Sequence, residues 1–469
     1  MKRLWTALAV FLLSFCVLLS PGHADYFKKV TLDNITGGPL SAAKGGTGST
    51  SAAGSLTNIL PVQTGNSGRV LGTNGSSASW VPATTAGCSG CVQTEINTIS
   101  GIVANDNTVD NGAILDSWIS THDTNQILHV TPGTYYFRTS VAESVLSNFE
   151  LRCDPGAVFK KVPAMDDDFN EYFFQFVTGT NISVNGCRFE GLTTDPNTVN
   201  PGEQGIVCFS CHGFYVRRNY FKDEGDAAVR STTLPSDSLD SNSTDTWIED
   251  NIFDNVAQVT TTPAGSVNTK AGTSSYWVLN NKFYNLKWSL KACTRSTNSG
   301  IHIVDNEIYG NPSTTLTEIG VAPSHTPTTI SGTGDGVELC SVSDVFVRNN
   351  KIYNTAAAGI TQYTNNSVNH FDYGNYHISG NTIVNSPIGI RFSNDNGADG
   401  ISNNVRGVLI YNNLIEDITG TGSPHMIIIT GAGGVTGSAV FNNVMINPTS
   451  GTYMSLPGTG VTSANNVQN

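Results

Sequence analysis

The chain has 469 residues, of which only 13% are charged, and a formal net charge of −13. That balance disfavours nucleic acid and anionic membrane surfaces as partners, yet a local basic row could still meet an acidic polysaccharide. With so few charges, Asn, Ser and Thr must coat the surface.

Residues 1–24 have the layout of a secretory signal: Lys2 and Arg3, an apolar run from Leu4 to Leu19, then Gly22-His23-Ala24. The expectation is an exported protein, extracellular or on a cell surface, with no membrane span once the signal is removed. Residues 25–96 are rich in Gly, Ser and Thr, without a long apolar run, and read as a low-complexity stalk or linker. Eight cysteines follow the signal, at 88, 91, 153, 187, 208, 211, 293 and 340. Two Cys-x-x-Cys pairs admit zinc or redox chemistry, but export favours disulfides.

From residue 97 a different unit begins. Asp110-Asn111-Gly112 can start a helix whose apolar side holds Ala113, Ile114, Trp118 and Ile119. A strand over Ile127-Leu128-His129-Val130 follows, and then Thr131-Pro132-Gly133-Thr134-Tyr135. Beyond it the chain repeats. An Asn, one variable residue and a bulky apolar residue recur at Asn219/Phe221, Asn251/Phe253, Asn281/Phe283, Asn306/Ile308, Asn350/Ile352, Asn381/Ile383, Asn413/Ile415 and Asn443/Met445. Cys187/Phe189 holds the same place one repeat earlier, with Cys153 a turn before that. A period of about 30 residues marks a solenoid, whose turns bury their apolar faces only by stacking. The repeated Asn residues are expected to form a corner ladder, each amide bonding to the next coil.

A second phrase follows each Asn phrase: Gly205-Ile206-Val207, Ala228-Val229-Arg230, Gln258-Val259-Thr260, Ser289-Leu290-Lys291, Gly336-Val337-Glu338, Gly359-Ile360-Thr361 and Gly389-Ile390-Arg391. Its middle residue is always apolar and its neighbours mostly are not, the period of two of a half-buried strand. The reading is all-β: short strands wound around a parallel β-helix. In this register Cys293 and Cys340 are neighbours on adjacent coils, as are Cys153 and Cys187, at a strand spacing of about 4.8 Å that suits a disulfide.

Two resemblances add to this reading. The phrase AKGGTG, followed by LPVQTGNSGRVLGTNG and Trp80, resembles the collar repeats of bacteriophage tail fibres, which implies a stalk that assembles as a homotrimer. The Asp-helix-strand-PGTY order, together with the repeats, resembles the opening of pectate-lyase-superfamily proteins. That resemblance implies a right-handed, single-stranded parallel β-helix over residues 97–469, with a short N-terminal helix capping its open end. The fold hosts lyases, hydrolases, epimerases and tailspikes, so it does not fix a function.

The chemistry must come from the aligned strands. Their small first residues would floor a groove, and two positions along, on the same face, stand Val207, Arg230, Thr260, Lys291, Glu338, Thr361 and Arg391. Four of these are charged in a charge-poor chain. One repeat is longer than the rest, and its extra residues, Gly310 to Gly334 with Glu318 and His325, would wall this groove. A second wall would be the polar stretch Ser231 to Asp245. Two mechanisms fit these residues, and the favoured one is that of the superfamily's polysaccharide lyases, β-elimination on an acidic polysaccharide, often with calcium as cofactor. Lys291, Arg230 and Arg391 would then supply base and carboxylate clamps, with Glu338 holding the lysine or a metal. Asp226, Asp335, Thr260 and Thr361 would contact substrate. Hydrolysis would instead need two carboxyls, either Glu338 with Asp335 or Asp226 with Glu224. The stretch TGDGVEL resembles part of the polygalacturonase signature, whose Asp-Asp, G-H-G and R-I-K phrases are missing. The bland reading makes Lys291 and Glu338 a surface ion pair across coils, Arg230 and Arg391 solvated residues, and the protein a non-catalytic adhesin or fibre-like glycan binder.

Overall fold

The computed structural model describes residues 69–73, 78–82, 91–162, 172–192, 204–232, 243–256, 266–269, 273–284, 290–310, 334–355, 357–363, 372–394, 404–416, 426–431, 435–446, 453–457 and 460–468. The signal segment, most of the stalk, Thr260, Glu318 and His325 lie outside them. The chain divides into two units, Met1–Ser89 and Gly90–Asn469. In the first, strands Arg69–Thr73 and Ala78–Pro82 form an antiparallel pair. The second is a right-handed parallel β-helix.

Each coil of the helix gives one strand to each of three parallel columns. The first column starts where Val92–Glu95 pairs with Thr124–Val130, and runs to Val461–Ala464. The second is a sheet of 12 short strands, from Gly133–Phe137 to Val467–Gln468. The third runs from Val141–Ser144 to Met454–Ser455. Because Val92–Glu95 already belongs to the first column, the solenoid begins ahead of residue 97.

The corner between the first and second columns is built by the Asn repeat. The residue before each ladder Asn adopts a left-handed backbone, which Asn, Asp and Gly tolerate best: Asp250, Asn280, Asp305, Asn349, Gly380, Asn412 and Asn442 all have positive φ. The next residue's amide then points along the solenoid. Asn281 Oδ1 accepts from both the backbone N–H and the Nδ2 of Asn251, each at 2.9 Å. Its own Nδ2 donates to Ile248 O at 2.8 Å and to Asn306 Oδ1 at 3.0 Å. The same bonds recur from Asn219 to Asn443, across sequence separations of 25 to 44 residues. They continue to Asn466, which the repeat reading did not include. A buried polar row of this kind is affordable only because each amide is satisfied by the next.

Two residues past each Asn, the apolar column packs down the centre. Phe159, Phe189, Phe221, Phe253 and Phe283 stack with centroids 4.7 to 5.4 Å apart, all fully buried. Ile308, Ile352, Ile383, Ile415 and Met445 continue the column.

The helix Asn111–Ile119 closes the N-terminal end. Its N-cap Asp110 accepts from the N–H groups of Gly112 and Ala113, and also from those of Arg138 and Thr139 on the coil beneath. Leu115 and Ile119 face the core, whereas Ala113, expected on the apolar side, is exposed. Gly112 is needed at this contact, since a Cβ there would lie 2.0 Å from Thr139 O.

Cys153–Cys187 and Cys208–Cys211 are disulfides. Cys293 and Cys340 are direct ladder partners, and Cys340 is disulfide-bonded, as is Cys91. Cys88 and the Cys293 side chain lie outside the described residues.

Candidate functional site

Connections from the first to the second column are two residues long, because the Asn turn fixes them: Arg217 to Tyr220, Glu249 to Ile252 and Leu279 to Lys282 are typical. The step from Cys153 to Ala157 has three, and the large length variation falls on the two sides of the third column. The stretch from Tyr309 to Val337 precedes one of its strands, and Thr232 to Ser243 follows another. A rigid column bordered by variable connections is where specificity accumulates on a solenoid.

Along the outer face of this column the ladder places Val207, Arg230, Asn268, Lys291, Glu338, Thr361, Arg391 and Ile428 on successive rungs. The expected row is therefore present, with one substitution. Gln258-Val259-Thr260 lies outside the described residues. The strand paired with the one holding Arg230 is Val267–Thr269, and Asn268 stands where Thr260 was expected. The apolar-polar alternation of Ser266-Val267-Asn268-Thr269 carried that signal, but Val259 offered the same alternation nearer the preceding strand.

The small residues ahead of this row do not floor a groove. A Cβ on Gly336, Gly359 or Gly389 would meet Ile352, Ile383 or Ile415 at 2.5 to 2.7 Å. Those isoleucines are core residues, so the glycines admit core side chains at a corner.

Two ionic groups occupy the row. In the upper one Lys291 Nζ donates to Glu338 Oε1 at 2.9 Å, with side-chain exposures of 10% and 4%. This is no solvated surface pair: two charges have been taken largely out of water, which costs several kcal/mol per ion before pairing offsets it. Asp335 lies beside it and accepts from Ala358 N–H at 2.9 Å. Burial, reinforced by the Glu338 charge, pushes the Asp335 carboxyl up to about 7, although Arg391 and Lys291 pull the other way. Glu338, Thr361 and Arg391 are consecutive cross-rung partners, about 4.8 Å per step. Thus Lys291, Asp335, Glu338, Thr361 and Arg391 are brought together. The Thr361 hydroxyl and Arg391 Nε are buried without a hydrogen-bond partner among the described residues.

In the lower group Arg230 Nη2 donates to Asp226 Oδ2 at 2.7 Å. Glu224 belongs elsewhere. It meets Lys161 at 2.9 Å with both side chains fully buried, and Lys161 also donates to Gln204 O at 2.7 Å and lies over the Phe173 ring. Glu224 is thereby a structural partner inside the coil, which removes the Asp226–Glu224 pair from consideration as a hydrolytic dyad. Between the two groups sits Asn268, fully buried, with neither amide atom partnered among the described residues.

No group of three or more His, Cys, Asp or Glu side chains among the described residues could hold a metal ion. Of the three carboxyls in the two groups, Glu338 and Asp226 each accept from a cation, and Asp335 is held toward its protonated form. This donor set does not fit calcium, which needs six or more oxygen ligands. Nor is any helix among the described residues long and apolar enough to cross a membrane.

No protein-family profile matches the chain, and no curated protein matches its sequence. Solved structures do match its fold. An exopolygalacturonase of Thermotoga maritima superposes with a TM-score of 0.55 at 11% identity, over 81% of this chain and 92% of that one. A family 28 exopolygalacturonase of Yersinia enterocolitica gives 0.50 at 10% identity, over 84% and 79%. At such identity the likeness is one of fold.

Proposed function

We propose that this chain is an exported protein that binds an acidic polysaccharide along the third column and cleaves it at the cluster of Lys291, Asp335, Glu338 and Arg391. The observation that carries the reading is the pairing of unlike carboxyls. Asp335 keeps its proton to about pH 7, while Glu338 beside it is ion-paired with Lys291. A carboxyl that keeps its proton beside a second one paired with a cation is the kind of arrangement that glycosidic hydrolysis uses. In this reading Asp335 donates its proton to the leaving glycosidic oxygen. Glu338 acts on the anomeric carbon, directly or through water, and Lys291 holds it in position. Arg391 and Arg230, on the same face, meet carboxylates of the chain. That two fold neighbours are exopolygalacturonases agrees with an acidic glycan.

β-Elimination, the favoured expectation from sequence, has less support once the geometry is considered. A lysine base must have a lone pair to offer, and the Lys291 ammonium is committed to Glu338 at 2.9 Å. It keeps one supporting observation, that Lys291 and Arg391 share a row.

The test is to offer full-length protein pectate, alginate and a panel of bacterial capsular polysaccharides, and to measure both reducing ends and the ultraviolet absorbance of unsaturated uronates. Reducing ends without absorbance, abolished in Asp335→Asn, are expected. Absorbance lost in Lys291→Ala would replace hydrolysis by elimination. Binding without either product would leave a non-catalytic glycan binder. The homotrimer implied by the fibre-like segment belongs to the same proposal and is checked by sedimentation of the full chain.

A further inference from the structure

The N-terminal end of the solenoid is fastened by ionisable groups that the candidate site does not use. His129, on strand Thr124–Val130, sits between carboxylates from two other elements. Its Nδ1 lies 2.7 and 2.8 Å from the two Glu95 oxygens, and its Nε2 lies 3.0 Å from Asp154 Oδ1. Glu95 ends the outermost strand of the first column, and Asp154 follows strand Ser147–Cys153 on the opposite side. One imidazole therefore ties three successive rungs. Ionised carboxylates only accept, so bonding to both at once needs a proton on each ring nitrogen. A neutral ring would turn a lone pair toward one of them.

We propose that His129 is a proton-operated latch for the outermost strand: the imidazolium bolts Val92–Glu95 and the Asp154 corner to its own rung, and loss of the proton releases that strand. The surroundings act in this sense. Burial works against the charged ring, but the hydrogen bonds to Glu95 and Asp154 outweigh it and hold His129 above the ordinary histidine range. The Glu95 carboxyl is lowered in turn, chiefly by its bond to His129. The cross-rung partner of His129 is Arg152, whose guanidinium is held by Glu150 at 2.8 Å. On strand Val141–Ser144, which opens the third column, Glu143 is pushed up to about 7 by burial beside Asp116 of the capping helix and Asp123.

The sign is the same for His129 and Glu143, whereas the lowered Glu95 contributes stability that is lost as pH falls. A folded-state pKa above the unfolded value gives stabilisation that is complete below the unfolded value and lost as pH rises through the folded one. The Glu143 loss falls on strand Val141–Ser144, which pairs with Tyr172–Val177, whereas the His129 loss falls on Val92–Glu95, the strand that pairs with its own. Glu95 and Asp154 are 37% and 42% exposed, so water screens the pairs and the expected release is local, not global unfolding.

Hydrogen exchange of the full chain, corrected for intrinsic rates and compared at about pH 6 and about pH 8.5, tests the latch. Amides of residues 92–95 should lose several-fold protection at the higher pH, while strands beyond Asn185 keep theirs. In His129→Gln, protection of 92–95 should match the high-pH wild-type level at both values. Should that variant fail to fold, Glu95→Gln removes one arm with a smaller change and should abolish most of the pH dependence. Wild-type protection that is independent of pH, or pH dependence that survives either substitution, overturns the proposal.

Discussion

Asn281→Ala tests whether the corner ladder, rather than the apolar column alone, holds the coils together. Asn281 is fully buried. Its truncation leaves the buried N–H of Asn251, which donates only to Asn281 Oδ1 at 2.9 Å, without an acceptor. It also strips the bond to Ile248 O, at 2.8 Å. The Nδ2 of Asn251 retains Val216 O, and Asn306 Oδ1 still receives the backbone N–H of residue 281. Two orphaned buried groups cost about 1–3 kcal/mol each, and with the small void the loss should reach about 3–5 kcal/mol. Because coils couple mainly to their neighbours, the damage should start locally, near residues 248–308. Denaturant unfolding gives the magnitude and limited proteolysis gives the place. Asn280→Ala, at the exposed neighbour with φ 52°, is the control and should cost only about 1 kcal/mol of backbone strain. A loss for Asn281→Ala no larger than that of the control would refute the ladder argument.

Three further outcomes are expected. Lys161→Met removes the cation paired with Glu224 in a fully buried site and should cost about 3–5 kcal/mol, whereas Lys161→Met with Glu224→Leu should recover much of it; unfolding curves of the two decide. Phe253→Ala opens the ring stack between Phe221 and Phe283, centroids 5.2 and 4.7 Å away, and should cost about 3–5 kcal/mol in the same assay, against about 1 kcal/mol for Phe253→Leu. If Asp335 is the general acid, cleavage should fall as pH rises through about 7, where that carboxyl loses its proton. A rate that stays level well above that pH would remove Asp335 from the role.

The solenoid was legible in residue order because its signals are local and periodic. A left-handed residue, an Asn and a bulky apolar residue two further on recur with each coil. Each is dictated by one corner of one coil, so reading a single repeat reads them all. The Lys291–Glu338 contact followed from the same register, since cross-rung partners are set by counting. Where counting was ambiguous it failed: Val259 and Val267 both fit the strand after Arg230, and only hydrogen-bonded pairing selected Asn268. The small residues were placed outward because the alternation of a strand was extended past its end, into a bend where Gly336 faces Ile352. Tertiary structure alone decided protonation and partnership. Lys161 and Glu224 meet across 63 residues, and His129 finds Glu95 34 residues before it and Asp154 25 after it. Those pairings depend on which side chains the stacking of coils brings together, and that is a property of the packed coils rather than of any repeat.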